Sequence, residues 1–175
     1  MLGRVLRNFI IRLETIDDHA AIYDLTQRAF APMPFAAGDE QVLVNRLREV
    51  SALSISMVCE YEGRIVGHIA FSLASAIDGI QGWYALGPVS VEPEMQHQGI
   101  GTELINRGIV MLKARNAAGC VLIGSTTYYA RFGFRPFPDL APEGEPAEYF
   151  QILPMRIAEP NAVVCFHPLF HTDLQ

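Results

Sequence analysis

"EPEMQHQGIGTELINRGIVML", residues 92–112, decides how this chain is read. Polar residues run into Gly99-Ile100-Gly101, and an amphipathic run follows at once. Leu104, Ile105, Ile109 and Leu112 share one face of a helix expected from about Thr102 to Ala117. Two glycines one residue apart at the mouth of a helix cost backbone entropy, so a turn or a close approach to the backbone must require them. A Walker loop needs a lysine after its last glycine, and Gly101-Thr102 has none. A dinucleotide fingerprint needs a third glycine where Leu104 stands, and an acid ~20 residues further on that is missing here. What remains is Gln96-His97-Gln98-Gly99-Ile100-Gly101, a Gln-x-x-Gly-x-Gly pattern between a strand and a helix. There the outward N–H groups and the positive end of the helix dipole make a seat for a pyrophosphate. An isolated hexapeptide of this form is equally a plain glycine turn, so its neighbours decide.

On the N-terminal side, "WYALGPVSVEP" is a strand with Gly87 and Pro88 in its middle. Proline cannot donate to a ladder, so the strand should bulge there and free backbone groups near Val89–Val91. Further back, Ser54–Glu60 and Arg64–Leu73 form a hairpin about Glu62-Gly63, and "ASAIDGIQG" reads as a loop. A helix is expected over Asp39–Val50, and "APMPF" ends an earlier one carrying Ile22, Leu25 and Ala29. Thr15-x-x-Asp18 resembles a capping box at its start, after a first strand at Phe9–Leu13.

On the C-terminal side, Gly119 is expected to stop the motif helix, and Cys120–Gly124 is an apolar strand. "TTYYARFGF" reads as a short helix ended by Gly133. "EYFQILPMRI" and "NAVVCFHPLF" read as the last strands, after the acidic loop "PDLAPEGEPAE" at 138–148. Strands alternating with helices give an α/β or α+β domain, and the early hairpin makes the sheet mixed.

The 175 residues suffice for one domain, 1–175, and half of them are hydrophobic against 18% charged, the balance of a packed globular chain. A net charge of −6 argues against general nucleic-acid binding. Cys59, Cys120 and Cys165 lie far apart in apolar runs and suit no disulfide framework, so buried thiols and a cytoplasmic setting are expected. The opening "MLGRVLRNFIIRLE" has no long apolar core or cleavage site, and no run approaches the ~20 residues of a membrane span. His167 and His171 have metal-pair spacing, but Pro168 lies between them and no acidic ligand accompanies them, so no metal is expected.

With "RIVGHIAFS", "LGPVSVEPEMQHQGIGTELI" and "STTYYARFGFRP" together, nearly the whole chain resembles a GCN5-related N-acetyltransferase (GNAT) of the YhbS-like group. The resemblance implies a mixed, mostly antiparallel central sheet, splayed at the acetyl-CoA site and flanked by helices. It implies acetyl-CoA as co-substrate and a primary amine as acceptor. The main chains of Val89 and Val91 would meet the pantetheine arm and polarise the acetyl carbonyl. Gln96, His97, Gln98, Gly99, Ile100 and Gly101 would hold the pyrophosphate. Tyr129, four residues before Gly133, would stand beside the departing sulfur as the catalytic group, with Tyr128 its neighbour.

The chemistry itself sets requirements. An alkyl ammonium of pKa ~10.4 must lose a proton before it attacks. The oxyanion needs a donor, and the thiolate leaves more easily against a hydrogen bond. His68, Glu60, Asp78, Ser90 or water are the candidate bases. Asp139, Glu143, Glu145 and Glu148 are acids that could attract a cationic amine. The acceptor stays open among small metabolites, peptide N-termini, lysine side chains and modified nucleosides, and so does the acyl-chain length. A homodimer is an expectation from frequency alone. The competing reading is a GNAT-like module that binds CoA or a partner without chemistry.

Overall fold

Alternating apolar residues build the strands of one sheet in the computed structural model, which describes residues 8–172. In chain order the strands are β1 (Ile10–Leu13), β2 (Leu53–Tyr61), β3 (Arg64–Ala76), β4 (Trp83–Val91), β5 (Gly119–Ile123), β6 (Arg135–Pro136), β7 (Phe150–Pro154) and β8 (Val164–Cys165). They lie side by side as β1-β2-β3-β4-β5-β7-β6, with β8 on β3. Every pairing is antiparallel except β4 with β5. The hairpin turn takes left-handed φ at Glu62 (49°) and Gly63 (76°), the twist that suits a two-residue β-turn. The sheet is therefore mixed and mostly antiparallel, as expected.

Helices cover both faces: α1 (His19–Phe30) and α2 (Glu40–Glu49) on one, α3 (Ile100–Ala114) on the other. Beneath α3 the sheet offers Met57, Cys59, Ile69, Phe71 and Leu86 to Ile100, Leu104, Ile105, Ile109 and Leu112. A Cβ on Gly108 would stand 2.2 Å from the Phe71 ring, so that glycine is what lets the helix sit down on the sheet. On the opposite face Ile22, Val44 and Val58 form one cluster, and Trp83, Ala85, Val121, Phe150 and Phe166 another.

The capping pattern at Thr15 is present. The Thr15 N–H and hydroxyl both donate to Asp18 Oδ2, at 2.7 and 3.2 Å, and close a 3-10 turn over Ile16–Asp18 that leads into α1. Hydrogen bonds from Arg12 to the same carboxylate hold its pKa down to about 2. At the sheet's outer edge, the Glu14 N–H donates to Ser56 O and fixes the phase of β1. That phase turns the Ile11 and Leu13 carbonyls outward. Arg107 and Arg12 donate to them at 3.4 and 3.2 Å, which caps the edge with charge.

Several expectations change. Residues 74–76 continue β3 because Ala74 pairs with Trp83 while Ser75 and Ala76 pair with β8, so the loop is shorter than read. The motif helix runs from Ile100 to Ala114 and ends at Arg115, followed by a left-handed Asn116 (φ 55°). Gly119 is no helix stop. It opens β5, where a Cβ would meet Trp83 at 2.5 Å and the Leu153 carbonyl at 2.9 Å. The expected last strand over 161–170 shrinks to Val164–Cys165, and Pro168–His171 is a 3-10 turn. The two-residue β6 was not foreseen. The opening residues 1–7 lie outside the described part.

Candidate functional site

The bulge in β4 shapes the site. Gly87 takes φ 137°, the Gly87–Pro88 peptide is cis, and the register on β3 passes from Phe71↔Leu86 to Ile69↔Val89. Side-chain alternation slips by one residue there. Leu86 and Val89 both pack on the α3 face, whereas Ala85 packs on the other. On the opposite edge of β4, pairing with β5 runs only from Trp83↔Gly119 to Ala85↔Val121. Beyond Ala85 the two parallel strands part.

The direction of the freed groups follows from register. The Glu92 N–H donates to Val66 O at 2.9 Å, so Ser90 faces β3 by its main chain while Val89 and Val91 face away from it. Their N–H groups therefore point into the gap left by β5. Gln96 Nε2 donates to Val91 O at 3.2 Å and folds the start of the motif back against that gap.

The glycine pair closes the other side. A 3-10 turn over Pro93–Met95 leads to His97 (φ 61°) and Gly99 (φ 92°), both left-handed. The first bond of the α3 ladder is Glu103 N–H to Gly99 O, at 3.0 Å. The amides of Ile100, Gly101 and Thr102 precede it and have no carbonyl of their own helix to meet. The two glycines serve different ends. Gly99 supplies the left-handed turn. At Gly101 a Cβ would find only ordinary contacts, Tyr128 Oη at 3.6 Å and Val91 Cγ2 at 3.7 Å, so the fold itself does not demand glycine. The missing atom leaves a cradle between Val91 and the helix mouth.

Two ties hold this loop. Glu92 is 5% exposed, and Arg28 of α1 grips it through Nη2 at 2.8 Å and Nε at 3.1 Å. Those hydrogen bonds push the Glu92 carboxyl below its usual range. The second is α4 (Thr126–Tyr129), begun by Ser125, whose Oγ accepts from the Tyr128 N–H. It brings the Tyr128 hydroxyl to Gly101, and Arg131 stacks over the Tyr128 ring at 4.5 Å. Tyr129 turns to the end of β5, where its ring lies 2.7 Å from the position a Cβ of Gly124 would take and packs edge-on to Phe134. Burial pushes the Tyr129 phenol up to about 12. Arg28, Glu92 and Arg131 escaped the sequence reading. The only local signal was Arg131 inside "YYARFGF".

The candidate bases scatter. Glu60 is held by Arg12 at 3.1 Å, and Asp78 accepts from the Ile80 N–H in the exposed β3–β4 loop. Ser90 and His68 are buried together on the α1 face as cross-strand partners. In the acidic loop, Glu145 pairs with His171 at 3.0 Å, and His167 Nδ1 accepts from the Leu169 N–H. Among the described residues no helix is long and apolar enough to cross a membrane.

Residues 52–136 match the model of the acetyltransferase (GNAT) domain family. The chain is 30% identical over 147 residues to YjhQ of Escherichia coli K12, described as an uncharacterized N-acetyltransferase, covering 82% of this chain and 78% of that one. It is also 30% identical over 126 residues to the E. coli K12 N-acetyltransferase YhbS, covering 71% and 72%. Among solved structures, a GNAT family acetyltransferase from Brucella melitensis in complex with acetyl-CoA shares 40% identity and a TM-score of 0.82, over 93% of this chain and 97% of that one. E. coli YhbS in complex with CoA shares 26% identity and a TM-score of 0.83, over 94% and 92%. The chain belongs to the GNAT family of N-acetyltransferases.

Proposed function

We propose that this chain binds acetyl-CoA across the gap between β4 and β5 and transfers the acetyl group to a primary amine, within one domain. The observation that carries the reading is the cradle at Gly101. The helix mouth there offers unpaired amides at a position where glycine is required by nothing inside the protein.

Acetyl-CoA supplies, when bound, an acyl carbon activated by its thioester. The chain's own groups do the rest. Gln96, His97, Gln98, Gly99, Ile100 and Gly101 wrap the pyrophosphate, with Arg131 and the Tyr128 hydroxyl beside it. The Val89 and Val91 N–H groups lie along the pantetheine arm and meet the carbonyl oxygen, where a fixed donor lowers the barrier as negative charge grows. Tyr129 donates a hydrogen bond to the sulfur. It does not hand over its proton. Burial raises the phenol to about 12, which favours a donated hydrogen bond over full proton transfer. Arg28, through Glu92, positions the loop from α1.

Calorimetric titration with acetyl-CoA tests this, with ATP and NAD as controls. The wild type should bind acetyl-CoA and neither control. Gly101→Asp places a carboxylate in the cradle and should weaken binding by at least about 100-fold with its unfolding temperature preserved. Equal affinity in wild type and variant would remove the cradle from the site. Release of CoA thiol in the presence of a panel of amines then identifies the acceptor.

A further inference from the structure

Register shows why β4 and β5 part, and what the parting leaves open. The Gly124 N–H donates to Tyr149 O at 3.2 Å, so Leu122 and Gly124 turn their main chains to β7. Val121 and Ile123 turn theirs to β4. The last pairing of the two parallel strands, Ala85↔Val121, brings the Leu86 N–H to the Val121 carbonyl. The next bond of that ladder would run from residue 88 to the Ile123 carbonyl. Residue 88 is proline and has no N–H to give. The Ile123 carbonyl therefore faces the gap without a ladder partner, and a backbone acceptor in that position needs a donor from elsewhere.

The β7 side of the same strand end is satisfied by other means. The Tyr149 N–H, which the antiparallel pair would send to Gly124 O, is spent on Pro146 O at 3.0 Å. Gln151, 0% exposed, supplies its Nε2 to Gly124 O at 2.9 Å in its place. The end of β5 is thus fixed from behind, with one acceptor open in front. The gap before it has room. Gly87, Val89 and Ile123 are half-buried, and a Cβ on Gly87 would meet nothing within 4 Å.

The order of groups along β4 decides what meets the open carbonyl. Val91 lies beside the Gly101 cradle, Val89 comes next, and the base of the gap at Leu86 and Val121 comes last. A cofactor with its pyrophosphate in the cradle brings its acyl end to that base. Methyl, carbonyl and thioester sulfur carry no N–H or O–H, so none of them can satisfy Ile123. An amine can.

Resting on the acetyl-transfer reading, we propose that the main-chain carbonyl of Ile123 binds the acceptor, accepting a hydrogen bond from an N–H of a primary amine beside the acyl carbon. The ammonium first loses one proton to water. Of the two hydrogens left, one stays on the Ile123 oxygen and remains in the amide product. The other leaves as the C–N bond forms and the C–S bond breaks, and goes with the thiolate to make CoA thiol. A secondary amine has only the hydrogen it must lose, so the site favours primary amines.

Carbonyl-labelled isoleucine combined with nitrogen-labelled glycine gives NMR signals only from Ile-Gly peptides. The sequence has two, Ile100-Gly101 in the cradle and Ile123-Gly124 at the gap. S-acetonyl-CoA, a thioether analogue that cannot transfer, should move the Gly101 signal. Downfield movement of the Ile123 carbonyl should wait for n-propylamine. The n-propyltrimethylammonium ion has the same chain and charge but no N–H, and should not cause it. A carbonyl that moves downfield with the analogue alone, with both amines alike or with neither overturns the proposal. Pro88→Ala gives residue 88 the missing N–H. It should raise the KM for n-propylamine at least about tenfold while acetyl-CoA affinity stays within about threefold. The wild-type preference for n-propylamine over N-methylpropylamine should shrink with it. An unchanged KM and preference would contradict the assignment, and the NMR titration carries the test by itself if the variant does not fold or bind acetyl-CoA. A wild type whose Gly101 signal ignores S-acetonyl-CoA would instead sink the acetyl-transfer reading.

Discussion

Both faces of the central sheet bury apolar clusters, but only the face under α1 and α2 also buries a group of polar side chains. Under α3, β2 and β3 present Met57, Cys59, Ile69 and Phe71, and the helix closes on them with Ile100, Leu104, Ile105, Ile109 and Leu112. Under α1 and α2 the same strands present Ser56, His68 and Ser72, and β4 adds Ser90. The apolar face maximises burial and rigidity, which a helix mouth needs if its amides are to stay aimed at a ligand. The polar face gives up stability for buried groups that packing does not need. One sheet thus carries an apolar platform on one side and a buried polar layer on the other, and β4, with its bulge, is where the two meet.

If the platform is as tightly fitted as Gly108 against Phe71 implies, Phe71→Ala should lower unfolding free energy by about 3–5 kcal/mol in denaturant titrations. A loss near 1 kcal/mol would mean the two faces are less different than they look.

The polar face should reveal itself through pH. The folded chain holds His68 neutral down to about 4, whereas an unfolded histidine binds its proton near 6.5. Between those values the unfolded state carries a proton that the native state refuses. Stability therefore falls as pH falls through the window, by about 3 kcal/mol in all. His68→Gln should flatten that part of the stability–pH curve, and a parallel curve would place the imidazole in water.

A smaller effect is expected where the faces join. Tyr129→Phe keeps the ring against Gly124 and removes only the donor, so kcat should fall about tenfold with acetyl-CoA affinity unchanged. Unaltered turnover would return Tyr129 to a packing role.

Legibility in the sequence followed the range of the forces involved. The left-handed Gly99, the break at Gly87-Pro88 and the alternation of β2 and β3 are local, and each was readable within a few residues. The Arg28–Glu92 tie joins positions 64 apart, and the Ser56–His68–Glu14 chain joins two strands of a hairpin to the end of β1. Neither leaves a mark in any short window. Gly119 shows the opposite error. It reads locally as a helix stop, while the Trp83 ring is what excludes a side chain there. Tyr128 and Tyr129 were read as neighbours in one short helix. The fold sends one hydroxyl to the α3 mouth and the other ring to β5.

The most direct measurement is an amide NMR titration of the wild type with acetyl-CoA. The largest shifts should fall on Val89, Val91 and the Gly99–Thr102 amides, the groups that face the gap and the cradle. Shifts confined to other parts of the chain, or none at saturating acetyl-CoA, would contradict the account.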